Sequence, residues 1–428
     1  SPWFAVNAVR PELQQELGSF AQATAQAFNT QANANTSVPP PSSMEGRNTG
    51  LLSGDSLNFT GKTTIAVADT DGNLVSRIDV DFGAGTLSVN GGGATSIGTT
   101  VGSFVAALNT ALGGSGSASF SNGALTVSAT GSNGIVVQDD ATTPSDRGGS
   151  GFSQFFGLND IFRTGAPSIT ATGLQSTDAG GFSAGTMTFT LKDDNGNVGK
   201  QASVNVTAGM TIGNVISAIN TAFGGAATAT LASDGSLSIT PASQYAGYHL
   251  DVNSDTTQRG STGMSFTSMF GLGASHGSAL AASFEVNDAL VASPAKLPFA
   301  QANITPTSVA GDSIAGSGDN RGLLALQNLQ SQDQTFSRIG NLGAQAATLG
   351  DYAASFYQDA ATRSQTVTAN ATAQSDRFAE AQSRQSANSG VNLDEELTNM
   401  MTYQQAYAAG ARMLTIVGQL YDTLLQIQ

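Results

Sequence analysis

The chain has 428 residues, more than one hydrophobic core usually organises, so at least two domains are expected. Its 16 basic and 31 acidic residues give a net charge of −15, which argues against a nucleic-acid-binding or anionic-membrane-binding surface. The absence of cysteine excludes disulfides, thiolate metal sites and cysteine nucleophiles. No apolar run reaches the roughly 18 residues of a membrane span, and no Sec-type signal is visible, so a soluble chain without membrane insertion is expected.

Proline placement divides the chain into three parts. Pro11 suits the first turn of a helix whose apolar stripe runs to about Ala32, and the prolines of segment 38–50 indicate a stiff linker. From about Leu51 to Pro306, short alternating runs separated by Gly and Asn-Gly turns predict strands. The last 122 residues contain no proline and are rich in Ala, Gln and Leu, which predicts long helices.

The middle of the chain contains an internal duplication. A first copy, roughly Phe59–Asn159, is matched by a second copy, Phe182–Ala274, in four blocks that occur in the same order. One matched pair is SFVAALNTALGG at Ser103–Gly114 and NVISAINTAFGG at Asn214–Gly225. Each copy is predicted to form a hairpin, a short amphipathic helix ended by Gly-Gly and a second hairpin, which together make an α+β unit.

The expected fold is therefore α+β and multidomain. Both chain ends form a helical domain of long, coiled-coil-like helices, and the duplicated β-rich insertion lies between them. Because both ends are helical, we expect them to lie side by side. The expected domains are an N-terminal part of the helical core (1–37), a Pro-rich linker (38–50) and two β-rich repeat domains (51–165 and 166–280). They are followed by a return segment (281–318), the rest of the helical core (319–390) and a C-terminal heptad helix (391–428).

One segment in each copy has the spacing of calcium ligands. Asp69, Asp71 and Asn73 match positions 1, 3 and 5 of a calcium loop, but Leu74 stands where the sharp turn needs Gly and Val80 where a bidentate Glu belongs. We interpret the segment as a tight hairpin turn, for which Asp-Gly and Asn-Gly are favoured. The second copy has the same pattern and the same defects at Asp193, Asn195 and Asn197.

The rest of the sequence gives no sign of catalysis. The two histidines, His249 and His276, lie in a strand and in a Gly/Ser-rich loop, with no second His or Cys near them. Neither a Gly-x-Ser-x-Gly elbow nor the glycine spacing of a phosphate-binding loop is present. We therefore expect a non-enzymatic protein with no cofactor and no metal site.

The C-terminal segment carries the most informative pattern. Asn392 is the predicted N-cap of a helix, with Glu395 in the position of a capping box, and the acidic first turn suits the helix dipole. Beyond the cap, residues at alternating spacings of four and three form a heptad stripe. The stripe consists of Leu393, Leu397, Met400, Gln404, Tyr407, Ala411, Leu414, Gly418, Tyr421 and Leu425.

The heptad stripe is longer than the helix expected to cover it. From Leu393 to Gln426 the helix would be about 51 Å long, whereas the candidate partner from Pro11 to Ala32 would be about 33 Å long. Part of the stripe is therefore expected to stay uncovered, although burying a large apolar side chain contributes roughly 1.5–3 kcal/mol. We expect the last turns to pack against another chain or against a segment that this sequence lacks.

The segment Ser389–Gln428 resembles the C-terminal signature of bacterial flagellar axial proteins. Its start at Val391–Glu396 and its YQQAY core at Tyr403–Tyr407 particularly resemble the hook-associated protein 1 family, the subunits of the hook–filament junction. The segments Phe284–Ala300 and Gly318–Gln330 are similar to the stretch where the chain of that family returns from its β domains. The duplicated middle resembles modules of flagellin and cap proteins more weakly.

This resemblance implies a structural subunit that joins hook to filament by packing of its terminal helices. The implied partners are further copies of itself, hook protein, the second junction protein and flagellin, with a cytoplasmic export chaperone on the C-terminal helix and no nucleic acid. The implied location is the extracellular flagellum, reached through the flagellar type III export channel. Nothing before Pro11 resembles the long N-terminal helical region of the family, so that region is expected to be absent.

Two alternatives stay open. One is another flagellar axial protein, hook-type or flagellin-like, against which the segments around Phe284 and Gly318 argue. The other is a cell-surface adhesin or glycan-binding protein that holds a ligand in its duplicated lobes, which exposed aromatic residues would favour. Phenylalanines at matched places in both copies favour a repeated core instead: Phe152, Phe155, Phe156, Phe266 and Phe270.

Overall fold

The chain forms two compact units, residues 1–363 and 364–428. The computed structural model describes residues 2–193, 196–337, 339, 342–390 and 392–426. Helices and strands are both abundant, and the strands are concentrated in the central part of the chain. The expected α+β class with a β-rich insertion is therefore confirmed.

The first unit begins with helix α1 (Pro2–Asn33), which starts before the expected first turn at Pro11. Pro2 takes the first helical position, where a missing N–H removes no hydrogen bond. Pro11 lies inside the helix, where a proline removes one backbone hydrogen bond without necessarily ending the helix. The prediction that the helix begins at Pro11 is wrong, because Pro2, nine residues earlier, occupies the first helical position instead.

The first lobe, residues 43–163, contains the first sequence copy. An antiparallel sheet of five strands has the order β5-β4-β3-β2-β8, and a second sheet has the order β1-β7-β6. The elements are β1 (Ser43–Glu45), β2 (Lys62–Ala68), β3 (Leu74–Asp81), β4 (Thr86–Val89), β5 (Thr95–Ser96), α2 (Val101–Leu112), β6 (Gly116–Ser121), β7 (Ala124–Ala129), β8 (Gly134–Asp139), α3 (Phe152–Phe156) and β9 (Phe162–Arg163).

The second lobe, residues 185–269, repeats the order from β2 to α3 with two strands fewer. Its sheet β11-β10-β14 corresponds to β3-β2-β8, and its hairpin β12-β13 corresponds to β6-β7. Strands β4 and β5 have no counterpart among its described elements. The elements are β10 (Gly185–Lys192), β11 (Val198–Val206), α4 (Ile212–Phe223), β12 (Ala227–Leu231), β13 (Leu237–Pro241), β14 (His249–Asp255) and α5 (Phe266–Met269).

The helix of each lobe is specified by the same local signals. Thr100 and Thr211 are the N-caps of α2 and α4, and each forms a reciprocal capping box with the residue three positions later. Gly224 ends α4 in the left-handed conformation that a side chain disfavours. Apolar residues at helical spacing then face the sheets: Val101, Phe104, Leu108 and Leu112 in α2, and Ile212, Val215, Ile219 and Phe223 in α4.

The two lobes share one continuous cluster of buried apolar residues, which extends from Met44 to Leu272. The matched phenylalanines lie in this cluster, with at most 4% of each side chain exposed: Phe152, Phe155, Phe156, Phe266 and Phe270. The segment 38–50, expected to be a linker, is also packed, because β1 pairs with β7 and Met44 is buried. The linker interpretation is therefore wrong for residues 43–45.

The remaining elements follow the second lobe. β15 pairs with β9, and β16 pairs with β17. The second pair forms a hairpin inside the proline-free segment that was expected to contain long helices, and it buries Phe336. The elements are α6 (Ala274–Ala282), β15 (Glu285–Val286), α7 (Asp288–Ala292), α8 (Arg321–Asn328), β16 (Gln334–Phe336), β17 (Gln345–Ala347), α9 (Leu349–Ser389) and α10 (Leu393–Leu425).

Helix α1 is covered by elements of its own unit, chiefly α6, with α8, β16 and the first turns of α9 also in contact with it. A Cβ atom on Gly18 would lie 2.1 Å from the carbonyl oxygen of Gly277, so α1 and α6 meet at backbone contact. Tyr352 of α9 stacks between Phe20, at a ring distance of 6.4 Å, and Phe336, at 3.7 Å.

Candidate functional site

Helix α10 begins at the polar residues that the sequence indicates. Asn392 is its N-cap, and the Asn392 Oδ1 atom accepts a hydrogen bond from the backbone N–H of Asp394 at 3.2 Å. A capping box would place this bond on the N–H of Glu395, one residue later. Three carboxylates occupy the first turn, where the helix dipole favours anions. Val391, part of the motif that resembles the family, lies outside the described residues.

The heptad stripe lies on this one helix and is uncovered over its whole length. Leu393 is 80% exposed, Tyr407 is 82% exposed and Leu414 is 75% exposed. All members of the stripe are exposed: Leu393, Leu397, Met400, Gln404, Tyr407, Ala411, Leu414, Gly418, Tyr421 and Leu425.

The apolar surface of α10 is wider than the heptad stripe. Further large apolar side chains lie beside it and are exposed: Met401, Tyr403, Met413, Ile416, Val417, Leu420 and Leu424. From Leu397 to Gln426 the only charged residues are Arg412 and Asp422. A helix that is apolar over much of its circumference is typical of burial by more than one neighbour, whereas a narrow stripe suits a two-helix seam. The heptad pattern alone did not indicate this width.

The base of α9 is attached to α1 by a charged cluster within the first unit. The Arg363 guanidinium forms ion pairs with Glu12, Asp359 and Glu16, the last at 3.2 Å. Burial raises the pKa of Glu16 to about 7, although Arg363 acts in the opposite direction. Because one guanidinium faces three carboxylates, the buried carboxylate of Glu16 holds a proton more readily than an exposed one would.

Two buried arginines with a structural role were not predicted from the sequence. Arg147 and Arg259 occupy matched positions before glycine in the two copies, and both are fully buried. The Arg259 guanidinium binds the Asp55 carboxylate through two hydrogen bonds, at 2.6 and 3.0 Å. Its Nε atom donates to the carbonyl oxygen of Gly180 at 2.8 Å. The matched Arg-Gly pair was the only sequence signal for this role.

Arg147 holds the same part of the chain without a carboxylate. Its Nη1 atom donates to the carbonyl oxygen of Ser56 at 2.7 Å and to that of Leu57, and its Nε atom donates to the carbonyl oxygen of Thr172 at 3.0 Å. Its guanidinium lies 5.1 Å from the centre of the Phe155 ring. The two arginines therefore bind segment 55–57 from both lobes and join the lobes into one body.

The calcium-like segments are hairpin turns. Asp69 Oδ1 accepts the backbone N–H groups of Asp71 at 3.0 Å and Asn73 at 2.8 Å, and these bonds lower the pKa of Asp69. Asp193 and Asn197 make the matching bond at 2.8 Å, while Asn195 lies outside the described residues. Within the described ranges, no group of three His, Cys, Asp or Glu residues could hold a metal ion.

The two histidines lie in different elements. His249 begins β14, opposite Lys192 in the neighbouring strand. His276 is buried in α6, and burial lowers its pKa to about 4. Separately, no described helix combines the length and the apolar character that crossing a membrane requires.

Comparison with known proteins gives matches that centre on flagellar proteins. Residues 383–427 match the family described as "Flagellar basal body rod FlgEFG protein C-terminal". The chain is 30% identical over 148 residues to flagellar hook-associated protein 1 of Escherichia coli and 29% identical over 153 residues to that of Salmonella typhimurium. Each match covers 33% of this chain and 26% of the relative, so it spans about a quarter of the curated relatives' length.

Among solved structures, the chain is similar to the flagellar hook junction protein FlgK from Burkholderia pseudomallei, at 13% identity. That match covers 87% of this chain and 60% of the other, with a TM-score of 0.21. The sequence matches alone confirm the resemblance to the hook-associated protein 1 family.

Proposed function

We propose that this chain, given its confirmed resemblance to the flagellar hook-associated protein 1 family, is a non-enzymatic structural subunit that joins hook to filament. The observation that carries the proposal is α10, a helix of 33 residues whose broad apolar face is exposed throughout the described part. An exposed apolar surface of this extent marks an interaction site. Packing of many such helices in a polymer would bury it.

The partners follow from that surface and from the resemblance. Further copies of the chain, the hook protein, the second junction protein and flagellin would supply the neighbouring helices. An export chaperone in the cytoplasm would cover the same face before secretion through the flagellar type III channel. The assembled protein would then lie outside the cell, in the flagellum.

Immunogold electron microscopy of intact flagella tests this assignment. An antibody against the two lobes, residues 43–269, should label a narrow zone between hook and filament. A strain that lacks the gene is the control for background label, and re-expression of the chain should restore the zone. Label over the cell envelope without label on the flagellum would contradict the proposal and support an adhesin.

A second candidate is another axial subunit of the rod or hook. The match of residues 383–427 to the rod-protein C-terminal family favours it, because that segment is shared among axial proteins. Label along the whole hook would support this alternative against the junction. Label along the filament would support a flagellin-like subunit.

A further inference from the structure

The apolar surface of α10 changes direction near the middle of the helix. At 3.6 residues per turn, the mean directions of the large apolar side chains in its two halves differ by about 120° around the axis. The N-terminal face consists of Leu393, Leu397, Met400, Met401, Tyr403 and Tyr407. The C-terminal face consists of Met413, Leu414, Ile416, Val417, Leu420, Tyr421, Leu424 and Leu425. All of these side chains are exposed.

Polar residues lie behind each face, and small residues separate the two faces. On the far side of the helix from the N-terminal face lie Thr398, Thr402 and Gln405, and on the far side from the C-terminal face lie Thr415, Gln419 and Asp422. Between the faces, residues 408–411 are Ala or Gly only. A straight neighbouring helix follows one direction and cannot cover both faces. The two faces therefore need two different neighbours.

The two faces are similar in length and displaced along the helix. Met400 lies near the centre of the N-terminal face and Val417 near the centre of the C-terminal face, 17 residues or about 26 Å further along the axis. A parallel second α10, shifted by that distance, brings its C-terminal face level with the N-terminal face of the first. Such a contact uses different patches on the two copies, so each copy keeps one face for the next. It repeats in one orientation, as a polymer requires.

The charges of α10 favour the same shift. Its first turn contains Asp394, Glu395 and Glu396, and Arg412 is its only basic residue. In the shifted pair, Arg412 of one copy lies level with the acidic first turn of the other. In an unshifted parallel pair, by contrast, the six carboxylates of the two first turns would lie level with each other. Juxtaposed like charges disfavour that arrangement.

We propose that the N-terminal face of α10 packs against the C-terminal face of α10 from a second copy of this chain, parallel and displaced by about 26 Å. This inference rests on the proposed role of the chain in a polymer. Met400 of one copy then meets Val417 of the next at the centre of the contact. Because the two faces of a copy point in different directions, successive copies turn about a common axis, and the contacts follow a helical path.

Cysteine cross-linking in assembled flagella tests this register, because the chain contains no cysteine. The full-length double variant Met400→Cys with Val417→Cys, treated with a short bismaleimide, should give a ladder of dimers, trimers and longer oligomers, since each copy links to two neighbours. Each single variant should stay monomeric. Co-expression of the two single variants should give dimers only. A second pair in the same register, Leu397→Cys with Met413→Cys, should give the same ladder.

Gln419 supplies the matched control. It lies two residues from Val417 but about 160° away around the helix, so Met400→Cys with Gln419→Cys should give no ladder. Every variant is first tested for immunogold label between hook and filament. That label reports the proposed function and does not depend on the cross-link.

No ladder from either cysteine pair in flagella that carry the junction label would overturn the register and leave the proposed function intact. Equal ladders with Val417→Cys and Gln419→Cys would show random encounter and overturn it too. A dimer of the single variant Met400→Cys would show unshifted packing. Cross-links to a different flagellar protein alone would show that another chain covers the face. Absence of the junction label with the unmodified chain would remove the proposed function and this inference together.

Discussion

The first unit buries its apolar side chains in a core, whereas helix α10 exposes its apolar side chains. The first unit gives partners to its buried charged groups, among them Arg147, Arg259 and Glu16. Helix α10 leaves its leucines, methionines and tyrosines exposed. The packing of the first unit is therefore satisfied within one chain, whereas the surface of α10 is suited to burial by neighbours.

The largest effect is expected on α10. Changing Leu397 and Leu414 to Asp should abolish assembly and chaperone binding, because each change puts a charge on the apolar face. The first unit should keep its unfolding transition, measured by circular dichroism. Gln419→Asp is the matched control, since Gln419 lies on the polar side of the helix. Junctions that form normally with both leucines changed would show that this face has no role in assembly.

A smaller but strong effect is expected at the buried ion pair. Arg259→Met should lower the free energy of unfolding of the first unit by about 3–5 kcal/mol, because the Asp55 carboxylate loses its partner while it stays buried. The double change Asp55→Leu with Arg259→Met should recover most of this loss in urea unfolding. Equal losses for the single and double variants would contradict the explanation.

Among the described residues, Arg147 binds no carboxylate, so its substitution should cost less stability than that of Arg259. Arg147→Met leaves backbone carbonyl groups without donors but strands no charge, so we expect a loss of about 1–3 kcal/mol in the same urea experiment. The loss should be smaller than that of Arg259→Met. A larger loss would mean that the two arginines do not differ in the way their contacts indicate.

The smallest effect concerns pH and the attachment of α9 to α1. Because the pKa of Glu16 is about 7 in the folded unit against 4.5 ordinarily, the folded unit holds a proton that the unfolded chain releases. Stability should therefore fall as pH rises from about 4.5 to about 7 and then level off. Glu16→Gln should remove this part of the dependence in thermal unfolding. An unchanged pH profile in that variant would contradict the assignment.

Features with a short sequence period could be predicted from the sequence. The capping residue Asn392, the heptad stripe and the duplicated hairpins depend on local patterns, and the duplication made matched helices such as α2 and α4 visible. Long-range contacts could not be predicted in this way: Asp55 and Arg259 are 204 residues apart. The same reason explains β1, whose pairing with β7 depends on tertiary contact and not on the prolines around it.

The start of α1 and the exposure of α10 show two other limits. Pro2 and Pro11 both satisfy the rule for a first helical turn, so the rule alone did not decide between them. A heptad pattern predicts that a face will be buried but does not say by what. Only the structure showed that α6 covers α1 and that the stripe is exposed over its described length.

Hydrogen exchange tests the contrast between the first unit and α10 most directly. In the free chain, amides of residues 393–425 should exchange rapidly, because an isolated helix without tertiary packing opens readily, while core amides of the first unit stay protected. In the assembled junction, residues 393–425 should become strongly protected, and the core of the first unit should be little changed. Protection of α10 already in the free chain, or rapid exchange of α10 after assembly, would contradict the account.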